Sequence, residues 1–248
     1  MILENSTLAL EETFILGKKI KLFQPKDGYK SGIDPIFLAY FADVKTSDVV
    51  FDFGCGVGAS TFAVEFFKSP KLVKGFEIQE CLADLFLMNA KENNSKITVS
   101  NMCISKVKET ADVIIMNPPY YNSENFISPE NEILKQANME SDIGLLEWLF
   151  HARRCLKPKG RLSIVHRTDR LDDILHDLKK LGFGGISIMP LWPKSGKPSK
   201  RVIVNAIKNS KQPLELSPGL VIHAEESYYT SQAEDILRGN IKGLLKEM

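Results

Sequence analysis

The sequence has no paired cysteines. Cys55, Cys81, Cys103 and Cys155 stand apart, none in a C-x-x-C pair and none at metal-ligand spacing with a histidine. That argues against a disulfide framework and a Cys/His metal centre. It fits buried thiols in a reducing, cytoplasmic compartment, with no metal expected. No stretch reaches the ~18 uncharged apolar residues of a membrane span, so no membrane partner is expected. Glu4, Glu11 and Glu12 sit where a signal peptide would need bare apolar residues. There is no internal repeat and no low-complexity tract. Net charge is only +1, so any case for a nucleic-acid partner must come from local charge. His151, His166, His176 and His223 are scattered and suggest no shared chemistry.

What is present is an ordinary globular composition. Across 248 residues, 44% are apolar and 25% charged, enough for one large α/β domain or a domain with a small appendage. The most informative stretch is Asn117-Pro118-Pro119-Tyr120. It follows the apolar run 111–116, which reads as a buried parallel strand. Two consecutive prolines cannot continue a strand, because each lacks an N–H and fixes φ. The strand must end there, with an amide and an aromatic ring just past its carboxyl end, where open α/β sheets bind ligands. Asn117 can accept a hydrogen bond from an amino group, the Pro118 carbonyl can accept a second, and Tyr120 can lie against a flat ring. The group suits a planar NH2 held ready to attack.

The chain before it alternates strand and helix. Residues 8–24 read as a hairpin turning at Gly17, followed by a loop through Gly28, Tyr29, Lys30 and Gly32. Asp34-Pro35 predicts an N-cap and first helical position for an apolar helix. A strand over 49–53 runs into Gly54-Cys55-Gly56-Val57-Gly58 and then a helix rich in phenylalanine. A glycine-rich turn at that junction lets a ligand approach the backbone and the helix N-terminus. The strand over 72–77 ends in Glu77, about 20 residues further on, the placement of a carboxylate that takes ribose hydroxyls. A helix over 79–93 and a strand over 97–100 follow.

After Tyr120, residues 121–140 are polar and read as a lid. A helix is expected over 143–155, a strand over 162–165 and a helix over 169–181. Strands over 186–190 and 201–207 would form a basic hairpin. A strand over 220–223 and a short helix over 230–237 complete the chain. From Pro190 to Lys211 there are six basic residues and no acid; Lys194, Lys197, Lys200 and Arg201 frame the turn. They are the candidate RNA contacts.

Strand, glycine turn and acid together suit an adenosine-containing cofactor. Asp52 ends the first strand of this unit. It would be a poor neighbour for pyrophosphate and a good one for the ammonium of S-adenosylmethionine. At this point Asp52-Phe53-Gly54-Cys55-Gly56-Val57-Gly58, Glu77 and Asn117-Pro118-Pro119-Tyr120 resemble the class I S-adenosylmethionine-dependent methyltransferases that modify amino groups. Within these, the chain is similar to the bacterial tRNA adenine-N6 methyltransferases acting in the anticodon region of a valine tRNA. The segments Gly28 to Asp34, Leu220 to His223 and Tyr229-Thr230 share in the likeness.

The resemblance implies a Rossmann-like α/β fold. Its mostly parallel, seven-stranded sheet would carry helices on both faces and an antiparallel C-terminal edge hairpin. Residues 1–47 would cap the cofactor site and 48–248 would form the methyltransferase domain. It implies S-adenosyl-L-methionine as cofactor, held by Tyr29, Lys30, Asp52, Gly54, Gly56, Glu77, Ile78, Asn101 and Asn117. Asn117 to Tyr120 would hold the target amine. One departure stands out: where relatives carry an acid after the third strand, this chain has Asn101. The partner implied is RNA, most specifically tRNA. Two alternatives remain open: a protein glutamine N5-methyltransferase of release-factor type, and an inactive RNA-binding module on the same fold.

Overall fold

A computed structural model describes residues 9–27, 31–119, 144–224 and 228–240. The expected lid at 121–140 lies outside these residues. The chain opens with an antiparallel hairpin, β1 (Leu10–Ile15) and β2 (Ile20–Pro25). Helix α1 (Asp34–Phe41) leads to β3 (Val49–Phe53), and α2 (Ala59–Lys68) to β4 (Leu72–Glu77). Next come α3 (Glu80–Glu92), β5 (Thr98–Asn101) and β6 (Ala111–Met116). The C-terminal part contains α4 (Leu145–Cys155), β7 (Leu156–Arg167), α5 (Leu171–Lys180), β8 (Phe183–Lys194) and β9 (Arg201–Lys208). Two short strands, β10 (Glu215–Leu216) and β11 (Leu220–His223), precede α6 (Ser231–Leu237).

The sheet runs β10-β8-β9-β7-β6-β3-β4-β5, and β11 also pairs with β8. Seven strands were expected in this sheet and nine are present among the described residues. The expected seven form the body, with β9 antiparallel between β7 and β8. The other two are β10, which was not expected, and β11, expected as a strand over 220–223; both pair in parallel with the outer side of β8. They cover what would otherwise be an exposed edge.

Side chains alternate between the two faces, as strand pleating requires. Val50, Val113, Ile115, Val165 and Ile203 face one apolar cluster, shared with α1, α2 and α6. Phe51, Phe53, Ile114, Met116, Ile164 and Val204 face another, shared with α4 and α5. Both faces are buried, which is why these strands read as continuous apolar runs rather than alternating ones. The N-terminal hairpin joins the first cluster through Ile15, Ile20 and Leu22.

One expectation about helix capping is corrected. The N-cap of α1 is Ile33, with no side-chain cap, and Asp34 is the first helical residue. Its carboxylate accepts instead from Arg201 Nε at 2.9 Å, tying α1 to the start of β9. A charge-assisted bond between elements outweighs a local cap.

At the amino edge, Arg161 forms an ion pair with Asp48, both nearly buried. Arg161→Ala would leave that carboxylate without its partner. The expected cost is about 3 kcal/mol, read as a lower urea midpoint at unchanged slope; an unmoved midpoint would contradict it.

Candidate active site

Sheet register brings the expected residues into one row. Phe53 pairs with Phe76 on one side and Met116 on the other. The next residues, Glu77, Gly54 and Asn117, therefore stand level at adjacent strand ends. Glu77 in turn pairs with Asn101 of β5. Asn101, Glu77, Gly54 and Asn117 thus occupy four neighbouring strand ends, about 14 Å from first to last at ~4.8 Å per strand. Asn117 is half-buried, Pro118 buried and Pro119 exposed. Tyr29, Lys30 and Tyr120 lie outside the described residues.

The glycine turn sits in the middle of that row. Gly54 has φ +68°, and a Cβ there would lie 2.7 Å from the Trp148 ring. Gly56 has φ +54°, and none of the described residues lies within 4 Å of where its Cβ would be. The first glycine makes room for protein; the second leaves backbone open to a ligand.

Two carboxylates flank the turn. Asp52 is 1% exposed. Its Oδ2 accepts from Ser60 Oγ at 2.5 Å and Thr61 Oγ1 at 2.6 Å. Its Oδ1 is buried with no hydrogen-bond partner among the described residues. Burial pushes the Asp52 carboxyl up to about 7, against the pull of the two hydroxyls. A buried orphan oxygen of this kind is costly unless something binds it. Glu77 is also pushed up by burial, and its carboxylate accepts from Gly56 N and Gln79 N, each at 2.9 Å. Asn101 Nδ2 donates to the carbonyls of Glu77 (3.0 Å) and Ile78 (2.9 Å). Two carbonyl acceptors fix the amide orientation, so Oδ1 is the atom left to accept from a ligand amine. These groups fit a molecule with a cation, ribose hydroxyls and an aromatic amine.

Three contacts carry no motif signature. Ser60 and Thr61 in the first turn of α2 hold Asp52, and two hydroxyls opening a helix carry no signal of that role. Trp148 on α4 packs on Gly54, far from it in sequence. Asn89 is fully buried in α3. It accepts from Phe23 N at 2.7 Å and donates to Phe23 O at 3.1 Å and Val57 O at 3.0 Å. Asn89 therefore links the glycine turn to β2. Gln24, next along β2, accepts from Ser31 N at 3.2 Å, just past Tyr29-Lys30. We expect Asn89→Leu to raise the KM for cofactor several-fold while kcat changes little, since three bonds to backbone, one of them buried, are lost. An unchanged KM would contradict the link.

The candidate RNA contacts lie at the same edge of the sheet. Because β8 runs parallel to β7 and β9 antiparallel, the β8–β9 turn projects from the carboxyl edge. Lys197 and Lys200 are exposed in that turn. Lys194 ends β8, and Arg201, half-buried, is tied to Asp34.

With this geometry in view, the comparisons are informative. Residues 35–180 match the model of the methyltransferase small domain family. A Haemophilus influenzae protein named tRNA1(Val) (adenine(37)-N6)-methyltransferase is 25% identical over 86% of this chain and 91% of its own. A Streptococcus pneumoniae release factor glutamine methyltransferase is 31% identical over 64% of this chain and 55% of its own. The crystal structure of a predicted O-methyltransferase from Agrobacterium tumefaciens superposes with a TM-score of 0.68 at 23% identity, covering 83% of this chain and 96% of that one. That likeness carries the fold. The family match covers more than half of the chain and spans the four strand ends that carry Asn101, Glu77, Gly54 and Asn117, so this protein belongs to the methyltransferase small domain family and is an S-adenosylmethionine-dependent methyltransferase.

Proposed function

We propose that the protein methylates the exocyclic N6 of an adenine in RNA, most specifically tRNA. The observation that carries this reading is the placement of Asn117-Pro118 one strand from the glycine turn, on the edge from which the basic β8–β9 turn projects. The Haemophilus influenzae relative, named for the same chemistry, supports it. A second reading, a protein glutamine amide as acceptor, is favoured by the Streptococcus pneumoniae relative. An amide NH2 is also planar and deactivated, so Asn117 and Pro118 alone do not separate the two.

In this reading, Asp52 Oδ1 faces the cofactor ammonium, Glu77 takes the ribose hydroxyls, Ile78 lies against the adenine and Asn101 Oδ1 takes its amine. Tyr29 and Lys30 close over the methionine end or the incoming base. The cofactor supplies an electrophilic methyl group on a sulfonium. The acceptor nitrogen is a poor nucleophile because its lone pair is delocalised into the ring. Asn117 Oδ1 and the Pro118 carbonyl accept its two N–H bonds and stabilise the positive charge that develops as it attacks. Asn117 and Pro118 would hold the nitrogen in line with the methyl that the cofactor would give up as its sulfonium becomes a thioether, and the displaced proton would pass to water without a general base. Tyr120 stacks on the base, which must first leave its own stack, most easily in a single-stranded loop. Lys194, Lys197, Lys200 and Arg201 neutralise phosphates around it.

A pH dependence follows. Asp52 has its carboxyl raised from 3.8 to about 7, so below pH 7 it holds a proton that an ammonium must displace. Cofactor affinity is expected to rise with pH up to about 7, by as much as tenfold per pH unit, then level off. The same shift means that the cofactor-free fold loses stability as pH rises from about 4 to 7. Calorimetry at pH 6 and 8 measures the affinity; a flat profile contradicts the assignment of Asp52. The function itself is tested by offering methyl-labelled cofactor with tRNA, ribosomal RNA and release factor separately. Label in tRNA supports the reading, and label confined to release factor overturns it.

A further inference from the structure

The carboxyl edge continues beyond the site, and one feature on it has no place in the reaction described above. Counting from β6 through β7, β9 and β8 to β11 is four strand steps, about 19 Å at ~4.8 Å each. At that point His223 ends β11, directly beside Lys194 in the register. The Tyr229 ring stacks on the His223 imidazole, with centroids 4.9 Å apart and planes 21° apart. Tyr229 is 37% exposed and Tyr228 is 72% exposed.

The backbone beneath this pair is firmly held. His223 and Tyr229 form an antiparallel bridge. Ala224 N donates to Tyr228 O at 2.8 Å, and Thr230 N to Ile222 O at 2.9 Å. Thr230 Oγ1 then caps α6 through Ala233 N. His223 Nδ1 is buried without a hydrogen-bond partner among the described residues, and the stacked Tyr229 ring orients the imidazole. Tyr229 also lines an open cleft of about 320 Å³ with Lys18, Glu234, Leu237 and Arg238, the last ion-paired to Glu234, at the small end of ligand-pocket sizes. A rigid aromatic face beside cations is how single-stranded nucleic acid is held without reading its sequence.

We propose that the His223–Tyr229 stack is a platform for one unstacked nucleotide of the RNA substrate, a few positions from the methylated adenine, with phosphates meeting Lys194 and the β8–β9 turn. This rests on the RNA reading above. Between Asn117 and Tyr229 the RNA strand would cross Arg167, Arg201 and Lys194 in order, all at the same edge. The platform would keep the loop splayed, so that the adenine is presented unpaired.

The test uses the whole protein and a synthetic hairpin RNA with an adenine in its single-stranded loop. RNA affinity is measured by fluorescence anisotropy, and cofactor affinity by calorimetry as a check on folding. Tyr229→Leu keeps apolar bulk without the flat face and is expected to weaken RNA binding about tenfold, with cofactor binding unchanged. Tyr229→Phe is expected to bind like the wild type. Hairpins with each loop base removed in turn should show one sensitive position besides the target adenine. That sensitivity should vanish in Tyr229→Leu, as coupling requires. Equal RNA affinity of Tyr229→Leu and wild type, or no sensitive flanking position for the wild type, overturns the platform and leaves the RNA reading standing. No RNA binding by the wild type overturns both.

Discussion

Replacing Asn117 with alanine is expected to lower kcat by roughly 10²–10³ and to leave cofactor affinity within a few-fold. The side chain follows Met116, level with Gly54, at the end of a strand whose backbone is fixed on both sides by β3 and β7. Alanine removes the oxygen that accepts the amine proton and so removes stabilisation of the charge that grows on nitrogen. Gly54, Asp52 and Glu77 stay in place, so the cofactor still binds. Asn117→Asp keeps an acceptor at the same position and is expected to retain more activity than Asn117→Ala. Single-turnover rates with saturating cofactor measure the chemical step. Wild-type turnover by Asn117→Ala would remove Asn117 from the reaction.

The second large effect is expected at Glu77. Its carboxylate accepts two backbone N–H groups, one of them from Gly56 at the centre of the glycine turn. Glu77→Gln turns one oxygen into an NH2 that faces a donor. The change removes the charge that would hold the ribose hydroxyls and disturbs the turn at once. Charged hydrogen bonds contribute ~1.5–3 kcal/mol each, so cofactor Kd should rise about 100-fold. With cofactor raised to saturation, kcat should recover most of its value, the reverse of the Asn117 pattern. Calorimetry gives the Kd directly, and a rise of less than about threefold would contradict the assigned contact.

These two residues were legible in the sequence because each terminates a strand. The buried runs 49–53, 72–77 and 111–116 announce parallel strands, and glycines, an acid or prolines mark where each must stop. The sheet order then follows from crossover rules that leave few choices. The rest depends on contacts that local pattern does not encode. β10 is two residues long, too short for periodicity to reveal, and it exists because β8 offers an edge; β11 was legible as a strand, but not its parallel pairing with β8. Asp34 looks like a helix cap until β9 brings Arg201 beside it. Asn89 looks like a tolerated polar residue in α3, yet it is buried and bonded to two other elements. Trp148 is distant in sequence from Gly54 and reaches it only through the packing of α4. In each case the deciding partner lies on another element, and only the fold brings the two together.

The identity of the methylated nitrogen tests the account most directly. Unmodified tRNA would be incubated with the protein and S-adenosylmethionine, digested to nucleosides and separated by mass-resolved chromatography. The arrangement of Asn117 and Pro118 predicts N6-methyladenosine as the product, lost in Asn117→Ala. A methyl group on a ring nitrogen or a ribose oxygen, or no nucleoside product beside a methylated glutamine in release factor, would contradict it.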